Sequence, residues 1–467
     1  MRTSVEEYDL VVVGGGIAGL AIAELFARSG QRVLILEKSA KLCTVASGNH
    51  HEWFHFGSLY SIFPQNAFLR TMVGGIDDLL EYYAHFEGMN LCVGEKGNLT
   101  STATAKAWFR DQLIEYIVAA PNDPEFLFYK ARSIPDALKK IGARLTWEFA
   151  IKQFVSRHNR FYKFDWRTGP ASRHIAKGGW WDYSSSIIDK FTDKDVNLDT
   201  DTHFQITGYD RPMNSENIVS ALTKSLISHK GEILLDSAYE GYQKGPGGLE
   251  IHLKNGVTKN AKKLVLASGK NLVSHLPGFG FRNVASPLLI AYPHVAEGNV
   301  VRLTPFVSET INHMKHFVDG EPYSLIGGGY SADPNCPAEI EAAKKGLIER
   351  ARSIFPRLEK SQFVEVYVSQ KTEVGKKKGH RNYAYYILRE NSDVYAVVPG
   401  KFSLSFSLAV NLYKQMMGVT PRKAGVYATN PDISRFVDRM YHKKRVASHL
   451  AGNDSSQIVG AGREIEV

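Results

Sequence analysis

The stretch that most constrains this chain lies at its start. Tyr8–Val13 is a short valine-rich run of the kind a buried parallel strand shows, and it leads straight into Gly14-Gly15-Gly16-Ile17-Ala18-Gly19. An alanine- and leucine-rich helical pattern follows as far as Gly30. A second apolar run, 32–36, then stops at Glu37. Strand, glycine turn, helix, strand and acid together form a dinucleotide-binding fingerprint, in which each glycine has a task. Gly14 permits the tight turn, Gly16 lets a pyrophosphate approach the backbone, and Gly19 lets the helix pack close to the strand. The helix N-terminus offers free N–H groups to the pyrophosphate. Glu37 suits a ribose diol and repels a 2′-phosphate.

Later segments return to the same sheet. A helical pattern at 215–228 precedes the strand-like 231–235, a hairpin-like stretch holds GPGG at 245–248, and 261–266 is a buried strand ending in Ala267-Ser268-Gly269. Small residues there leave room for backbone to touch a cofactor. Near the C-terminus a strand from Tyr395 runs into Pro399-Gly400-Lys401-Phe402-Ser403-Leu404. A helix over about 405–417 follows, giving a second helix N-terminus.

The fingerprint, the ASGKN strand end and the PGKFSLS–helix resemble the D-amino-acid-oxidase-like (DAO) superfamily of FAD-dependent oxidoreductases. The nearest branches are the L-2-hydroxyglutarate oxidases and glycerol-3-phosphate dehydrogenases. Ala46-Ser47-Gly48, Phe54-His55-Phe56-Gly57 and Tyr60 carry the branch resemblance. It implies an α/β fold with a Rossmann-like FAD-binding domain of the glutathione-reductase type and a substrate domain built on a mixed or antiparallel sheet. It also implies non-covalent FAD in preference to a link through His50, His51 or His55. By resemblance, Gly14, Gly16, Ile17, Ala18, Gly19, Glu37 and Lys38 hold the ADP half. Ala46, Ser47, Gly48 and Gly57 follow the cofactor, Tyr239 takes a position usually held by valine, and Ala267, Ser268 and Gly269 pass alongside. Gly400, Lys401, Phe402, Ser403 and Leu404 approach the flavin ring.

The expected organisation is an FAD-binding domain over 1–106, 208–284 and 391–420, and a substrate domain over 285–390. Residues 107–207 form a partly helical, aromatic insertion, and 421–467 a C-terminal extension with a flexible end. Helical patterning is read at 107–120 and 136–155. In the substrate domain 300–307, 323–326 and 364–368 look like strands, and Gly327-Gly328-Gly329 marks a turn close to the cofactor.

The crowded stretch VASGNHHEWFHFG (45–57) supplies His55, read as the general base or as a cofactor contact. Lys371 and Arg381 are candidates to hold an anionic substrate. Tyr292, His294, His313, His316, Tyr383 and Tyr385 are further polar anchors. A metal site is disfavoured, because adjacent His50 and His51 seldom converge on one ion and no cysteine or carboxylate cluster completes a set.

The expected reaction is oxidation of a CH–OH or CH–N bond in a small polar anion. The electron acceptor stays open among oxygen, a quinone and an electron-transfer protein. The net charge of +9 fits such a substrate, a nucleic acid met by KKKGHR (376–381), or a solvated surface with a basic tail, HKKR, at 442–445. Action on a modified transfer-RNA base and a non-catalytic flavoprotein are the competing readings. Three scattered cysteines suit a reducing compartment, and no apolar run approaches the roughly 20 residues of a bilayer span. The opening MRTSVEEYDL shows no secretory pattern, so a soluble cytoplasmic protein is expected.

Overall fold

The computed structural model describes residues 7–62, 66–120, 131–162, 164–173, 189–190, 194–245, 247–304, 310–375, 384–425 and 430–452. Two eight-stranded sheets organise them. The first is built on β1 (Glu7–Val13), which pairs in parallel with β2 (Val33–Leu36) on one side and β13 (Thr258–Leu266) on the other. Strand β10 (Glu232–Leu234) extends the sheet beyond β2. The far edge of β13 is shared. Its first half pairs with β12 (Gly248–Leu253) of the hairpin β11 (Tyr239–Gly245)–β12, and its last residues pair in parallel with β20 (Val394–Val398). Strand β19 (Tyr386–Arg389) closes that edge. The runs in β1, β2 and β20 are apolar at nearly every position because both faces of this sheet are covered.

One face is covered by α1 (Ile17–Arg28), α2 (Asn66–Tyr82), α4 (Ser215–Ser228) and α7 (Ser405–Met417). On the other face lie the side chains of β11–β13 and the single turn α5 (Leu272–His275). Two short pairs tie the loops together: β3 (Trp53–Phe54) with β9 (Arg211–Pro212), and β4 (Leu91–Val93) with β5 (Leu99–Ser101).

The second sheet contains β6 (Ile114–Ala119), β7 (Asp189–Lys190), β8 (His203–Gly208), β14 (Phe281–Tyr292), β15 (Asn299–Leu303), β16 (Ile311–Val318), β17 (Glu321–Gly328) and β18 (Phe363–Val374), in the order β18-β14-β17-β16-β15-β6-β8-β7. All its pairs are antiparallel except β15 with β6. Helix α6 (Pro337–Ile354) packs on one face, and α3 (Ile134–Tyr162) packs near the other.

Two sequence expectations are corrected here. Residues 107–120, read as helical, carry β6. Its Ile114, Tyr116 and Val118 join the core beside α3, whereas Ile117 joins the core beside α6. That alternation, in a run rich in β-branched and aromatic residues, is a strand's period and not a helix's. Both β6 and β8 come from the 107–207 segment and form part of the second sheet. The HKKR stretch is not a solvated tail either. It belongs to α8 (Tyr441–Leu450), with His442 fully buried and Lys443 nearly so. Carboxylates draw it inward: Lys443 Nζ lies 3.7 Å from Oε2 of buried Glu52 and 3.3 Å from Oε2 of half-buried Glu216, and Arg445 Nε donates to Oε2 of half-buried Glu365 at 2.6 Å.

Candidate functional site

The glycine turn is fixed by close backbone approaches. Gly14 has φ +106°, and a Cβ there would stand 2.6 Å from Ala267 O, because the end of β13 passes directly beside it. A Cβ on Gly19 would stand 1.9 Å from Gly14 O, so α1 can lie on its own turn only with glycine at that position. Gly16 is the N-cap of α1. The Ile17 N–H beyond it donates to Ser47 Oγ at 3.0 Å, tying the 43–48 loop to the helix start. Glu37 sits at the end of β2, where Oε2 accepts from Gly15 N at 2.6 Å and Oε1 from Ser39 N at 2.8 Å.

A cavity of about 990 Å³ runs from this turn to the second sheet. Of the cofactor residues expected from sequence, Gly14, Gly16, Ile17, Ala18, Glu37, Lys38, Ala46, Ser47, Tyr239, Ala267, Ser268, Gly269, Gly400, Lys401 and Phe402 line it. Five lie elsewhere. Gly19 serves packing. Gly48 closes a tight loop in which a Cβ would meet Cys43 O at 2.2 Å. Gly57, at φ +117°, turns the chain beneath Leu69 and Val73 of α2. Ser403 and Leu404 are buried at the approach to α7.

The far end of the cavity is where VASGNHHEWFHFG matters. Strand period two divides it: Phe54 and Phe56 enter the core under α1 and α7, and Trp53 and His55 face the cavity. The pairing of β3 with β9 brings Asp210 against the stretch. Its fully buried carboxylate accepts from Phe56 N (2.8 Å) and Ser58 N (3.1 Å) through Oδ1. Through Oδ2 it accepts from Tyr116 OH (2.7 Å) and Trp53 Nε1 (3.2 Å). His55 Nδ1 lies 3.5 Å from the same Oδ2. Burial pushes the Asp210 carboxyl upward, but His55, Tyr116 and the Phe56 N–H outweigh it and hold the group below the usual carboxylate value. His55 is lowered to about 4, first by burial and then by the nearby Lys401 ammonium, with Asp210 opposing. Sequence reasoning missed Asp210, since nothing in TGYDRP distinguishes it from a turn aspartate.

His51 also lines the cavity, and its buried Nε2 has no hydrogen-bond partner. Burial, then the neighbouring His55 and His50, hold it well below the ordinary histidine value. Asn312 Oδ1 and Ser286 Oγ, on β16 and β14, are likewise buried, unpartnered and part of the cavity wall. Trp53, Trp147, Leu288, Val301 and Leu303 supply the apolar part of that end.

His50 and Glu52 belong to a different arrangement. His50 Nδ1 accepts from Glu52 N at 2.9 Å, and its Nε2 meets Ser215 Oγ at 3.2 Å. Glu52, at φ +50°, sends its carboxylate away from the cavity into a buried network. Ser215 N donates to it at 2.8 Å. His316 Nδ1 lies 3.1 Å away, Arg110 Nη2 3.4 Å, Lys443 Nζ 3.7 Å and His442 Nε2 3.8 Å. Burial raises the Glu52 carboxyl, but Lys443, His316 and His442 overcome this and hold it well below its ordinary value.

The remaining anchors separate cleanly. Lys371, on β18, lines the cavity 3.7 Å from Glu373 Oε1. His313 is a satisfied core histidine between Gly298 O (2.8 Å) and Ser324 Oγ (2.7 Å). His316 joins Glu52. His294 pairs with Glu297 at 2.8 Å, Tyr292 with Glu321 at 3.2 Å, and Tyr385 packs against the core under α7. Arg381, Tyr383 and the KKKGHR run lie outside the described residues.

Known proteins share parts of this sequence and most of this geometry. Residues 9–146 match the DAO family, FAD dependent oxidoreductase. That segment is a DAO-family domain. The L-2-hydroxyglutarate dehydrogenase, mitochondrial, of Arabidopsis thaliana is 34% identical over 82 residues. The matched stretch is 18% of this chain and 17% of that protein's length. Likeness of fold extends over most of the chain. The FAD-bound L-alpha-glycerophosphate oxidase of Mycoplasma pneumoniae superposes with a TM-score of 0.60 at 13% identity, covering 91% of this chain and 98% of that one. The L-proline dehydrogenase of P. horikoshii gives 0.55 at 13% identity, covering 89% and 94%. The glycine oxidase of Geobacillus kaustophilus gives 0.54 at 13%, covering 93% and 98%.

The cofactor is FAD, and the residues of this chain fit that group. A glycine turn that excludes any Cβ opens the N-terminus of α1 to a pyrophosphate. Glu37, in the cavity wall at the end of β2, would meet the ribose, and the cavity reaches the upper end of the roughly 300–1,000 Å³ usual for cofactor and ligand clefts.

Proposed function

We propose that the protein oxidises a CH–OH or CH–N bond of a small anionic molecule of the 2-hydroxy-acid or amino-acid type. The observation that carries this reading is the single cavity that joins the nucleotide fingerprint to the His55–Asp210 pair. Bound FAD supplies the hydride acceptor. The chain must supply a proton acceptor, a place for the anion and a dry wall.

His55 suits the first task. Burial and Lys401 keep its ring neutral near pH 7, so it is in the proton-accepting form. The Asp210 carboxylate, 3.5 Å from Nδ1, stabilises the imidazolium once a proton arrives at Nε2. Lys401 and Lys371 contribute positive charge along the wall and suit a substrate carboxylate. His51 Nε2, Asn312 Oδ1 and Ser286 Oγ are buried polar atoms without partners, each costing about 1–3 kcal/mol while unsatisfied. A polar substrate that met them would recover part of that cost, whereas Trp53, Trp147 and Leu288 keep water from the reacting carbon.

The local similarity to a 2-hydroxyglutarate dehydrogenase supports the hydroxy-acid branch. The deciding experiment is an anaerobic panel of 2-hydroxy acids and amino acids, followed by bleaching of the flavin absorbance. Bleaching by a 2-hydroxy acid supports that branch, and bleaching by amino acids alone moves the assignment to CH–N oxidation. A flavin that no member of the panel reduces removes the catalytic reading.

A further inference from the structure

Helix α3 has two apolar sides. Ala143, Trp147 and Ala150 line the cavity, and Trp147, Ile151, Phe154 and Val155 are buried against the second sheet. The opposite side is also apolar, yet it faces outward. Among the described residues eight large hydrophobic side chains are exposed, and four of them stand on the first twelve residues of this helix: Ile134 (78%), Leu138 (65%), Ile141 (39%) and Leu145 (62%). At 100° per residue their 4-3-4 spacing places them within an arc of about 60°. A stripe this concentrated differs from the scattered apolar residues that any surface carries.

Charge says what covers it. From Ile134 to Arg157, and apart from Arg157 itself, which turns inward to donate to Ser61 O, the helix carries Lys139, Lys140, Arg144 and Lys152. Against them stand Asp136 and Glu148, which pair with Lys140 and Lys152 and leave a positive excess, in a chain of net charge +9. By the same count Arg144 lies about 90° and Lys139 and Lys140 about 130° from the centre of the stripe, so these cations flank it, with Lys140 3.8 Å from Asp136. A second copy of the chain laid stripe to stripe would set these cations against their own counterparts. An anionic lipid surface reverses that sign, takes up the leucine and isoleucine side chains among its acyl chains, and attracts the flanking ammonium and guanidinium groups. No helix among the described residues is long and apolar enough to cross a membrane, so such contact would lie in the plane of the interface.

From these observations we infer that the outer face of α3 is a docking surface for an anionic bilayer. The helix then separates the cavity from the lipid, with cavity-lining Ala143 and Trp147 behind the stripe. This inference needs no particular substrate and stands apart from the proposed reaction.

Vesicle flotation of the full-length FAD-loaded protein tests it. The probes are phosphatidylcholine vesicles with and without phosphatidylglycerol, at low and raised salt. The expected result is flotation with the anionic vesicles only, weakened by salt. A Leu138→Gln/Leu145→Gln variant should partition roughly tenfold less or lower, with unchanged flavin absorbance and melting temperature, because both residues are solvent-facing. A Lys139→Gln/Arg144→Gln variant should lose the preference for anionic lipid. Three outcomes overturn the inference: wild-type protein that stays at the bottom of the gradient with both vesicles, flotation that the leucine variant leaves intact, or a dimer that forms without lipid and that the leucine variant dissolves.

Discussion

Asp210 Oδ2 lies 3.5 Å from His55 Nδ1, and the same carboxylate accepts hydrogen bonds from Trp53, Phe56, Ser58 and Tyr116. A single buried charge therefore fixes both the path of the 53–58 loop and the environment of its cavity-facing histidine. On the proposed reaction His55 is the proton acceptor and Asp210 a positioning residue that acts through it.

His55→Gln keeps a polar side chain of similar reach but removes the base. Substrate-driven flavin reduction should slow by about a hundredfold or more. Flavin content should stay near wild type, since His55 lies away from the glycine turn. Stopped-flow reduction under anaerobic conditions measures both, and an unchanged rate would end the catalytic role of His55.

Asp210→Asn should act through His55 and through the loop at once. Losing the carboxylate removes the main influence that raises the His55 pKa, so the acid limb of the rate profile should move to lower pH and the rate should fall. The new amide also turns hydrogens toward existing donors, at a cost of about 1–3 kcal/mol for each group left unmatched. A purely structural Asp210 predicts a lower melting temperature with the pH profile in place. That split between thermal melts and rate–pH curves distinguishes the two.

Gly14→Ala tests the turn that dominates the sequence. A methyl group at φ +106° and 2.6 Å from Ala267 O cannot be accommodated unless the end of β13 moves. The variant should purify with far less FAD, seen as a reduced ratio of visible to near-ultraviolet absorbance. Full flavin content would show that the β1–β13 contact tolerates separation.

How much of this was legible in the sequence depends on whether a feature is local. The turn from Gly14, the ASG strand end and Gly400–Phe402 are written in contiguous residues, as are α4 and α7, and the places of the first three along the cavity follow from a parallel sheet that opens at its strand ends. Asp210 and the Glu52 network are not written that way. Asp210 meets His55 only because β3 pairs with β9, and Glu52 gathers His316 from β16, Lys443 from α8 and Arg110 from its loop. Non-local pairing of this kind leaves no periodic trace. Strand β6 misled for another reason: in 107–120 a polar start, RDQ, leads into an apolar run short enough to fit either period.

Glu52→Gln should be among the most destabilising substitutions outside the apolar core. The carboxylate is fully buried, and its removal leaves Arg110, Lys443 and the ring nitrogens of His316 and His442 without their anion. Breaking a buried ionic group from one side costs about 3–5 kcal/mol. Chemical denaturation should register that loss, and because Glu52 is flanked by His51 and Trp53, reduction kinetics should suffer as well. A loss below about 1 kcal/mol would mean that water or a shifted side chain replaces the carboxylate.

Buried histidines, inside that network and beyond it, set the acid stability of the fold. Burial lowers His50, His55 and His316 to about 4 and His313 to about 3, and holds His442 well below its ordinary value. Unfolding returns each ring to an ordinary value of about 6.5. Between about pH 6.5 and 4 the unfolded chain thus binds more protons than the folded one, and stability falls as pH falls. Each such histidine contributes up to about 1.4 kcal/mol per pH unit across that interval. Glu52 acts in the same direction: its depressed pKa gives stability that is present above the unfolded carboxylate value and is lost at lower pH. The melting temperature should therefore be level above about pH 7 and drop steeply toward pH 5. His313→Asn, which removes one depressed histidine from the core without touching the cavity, should flatten that slope. A melting curve that is level from pH 7 to pH 4.5 would show that these rings take up protons in the folded state.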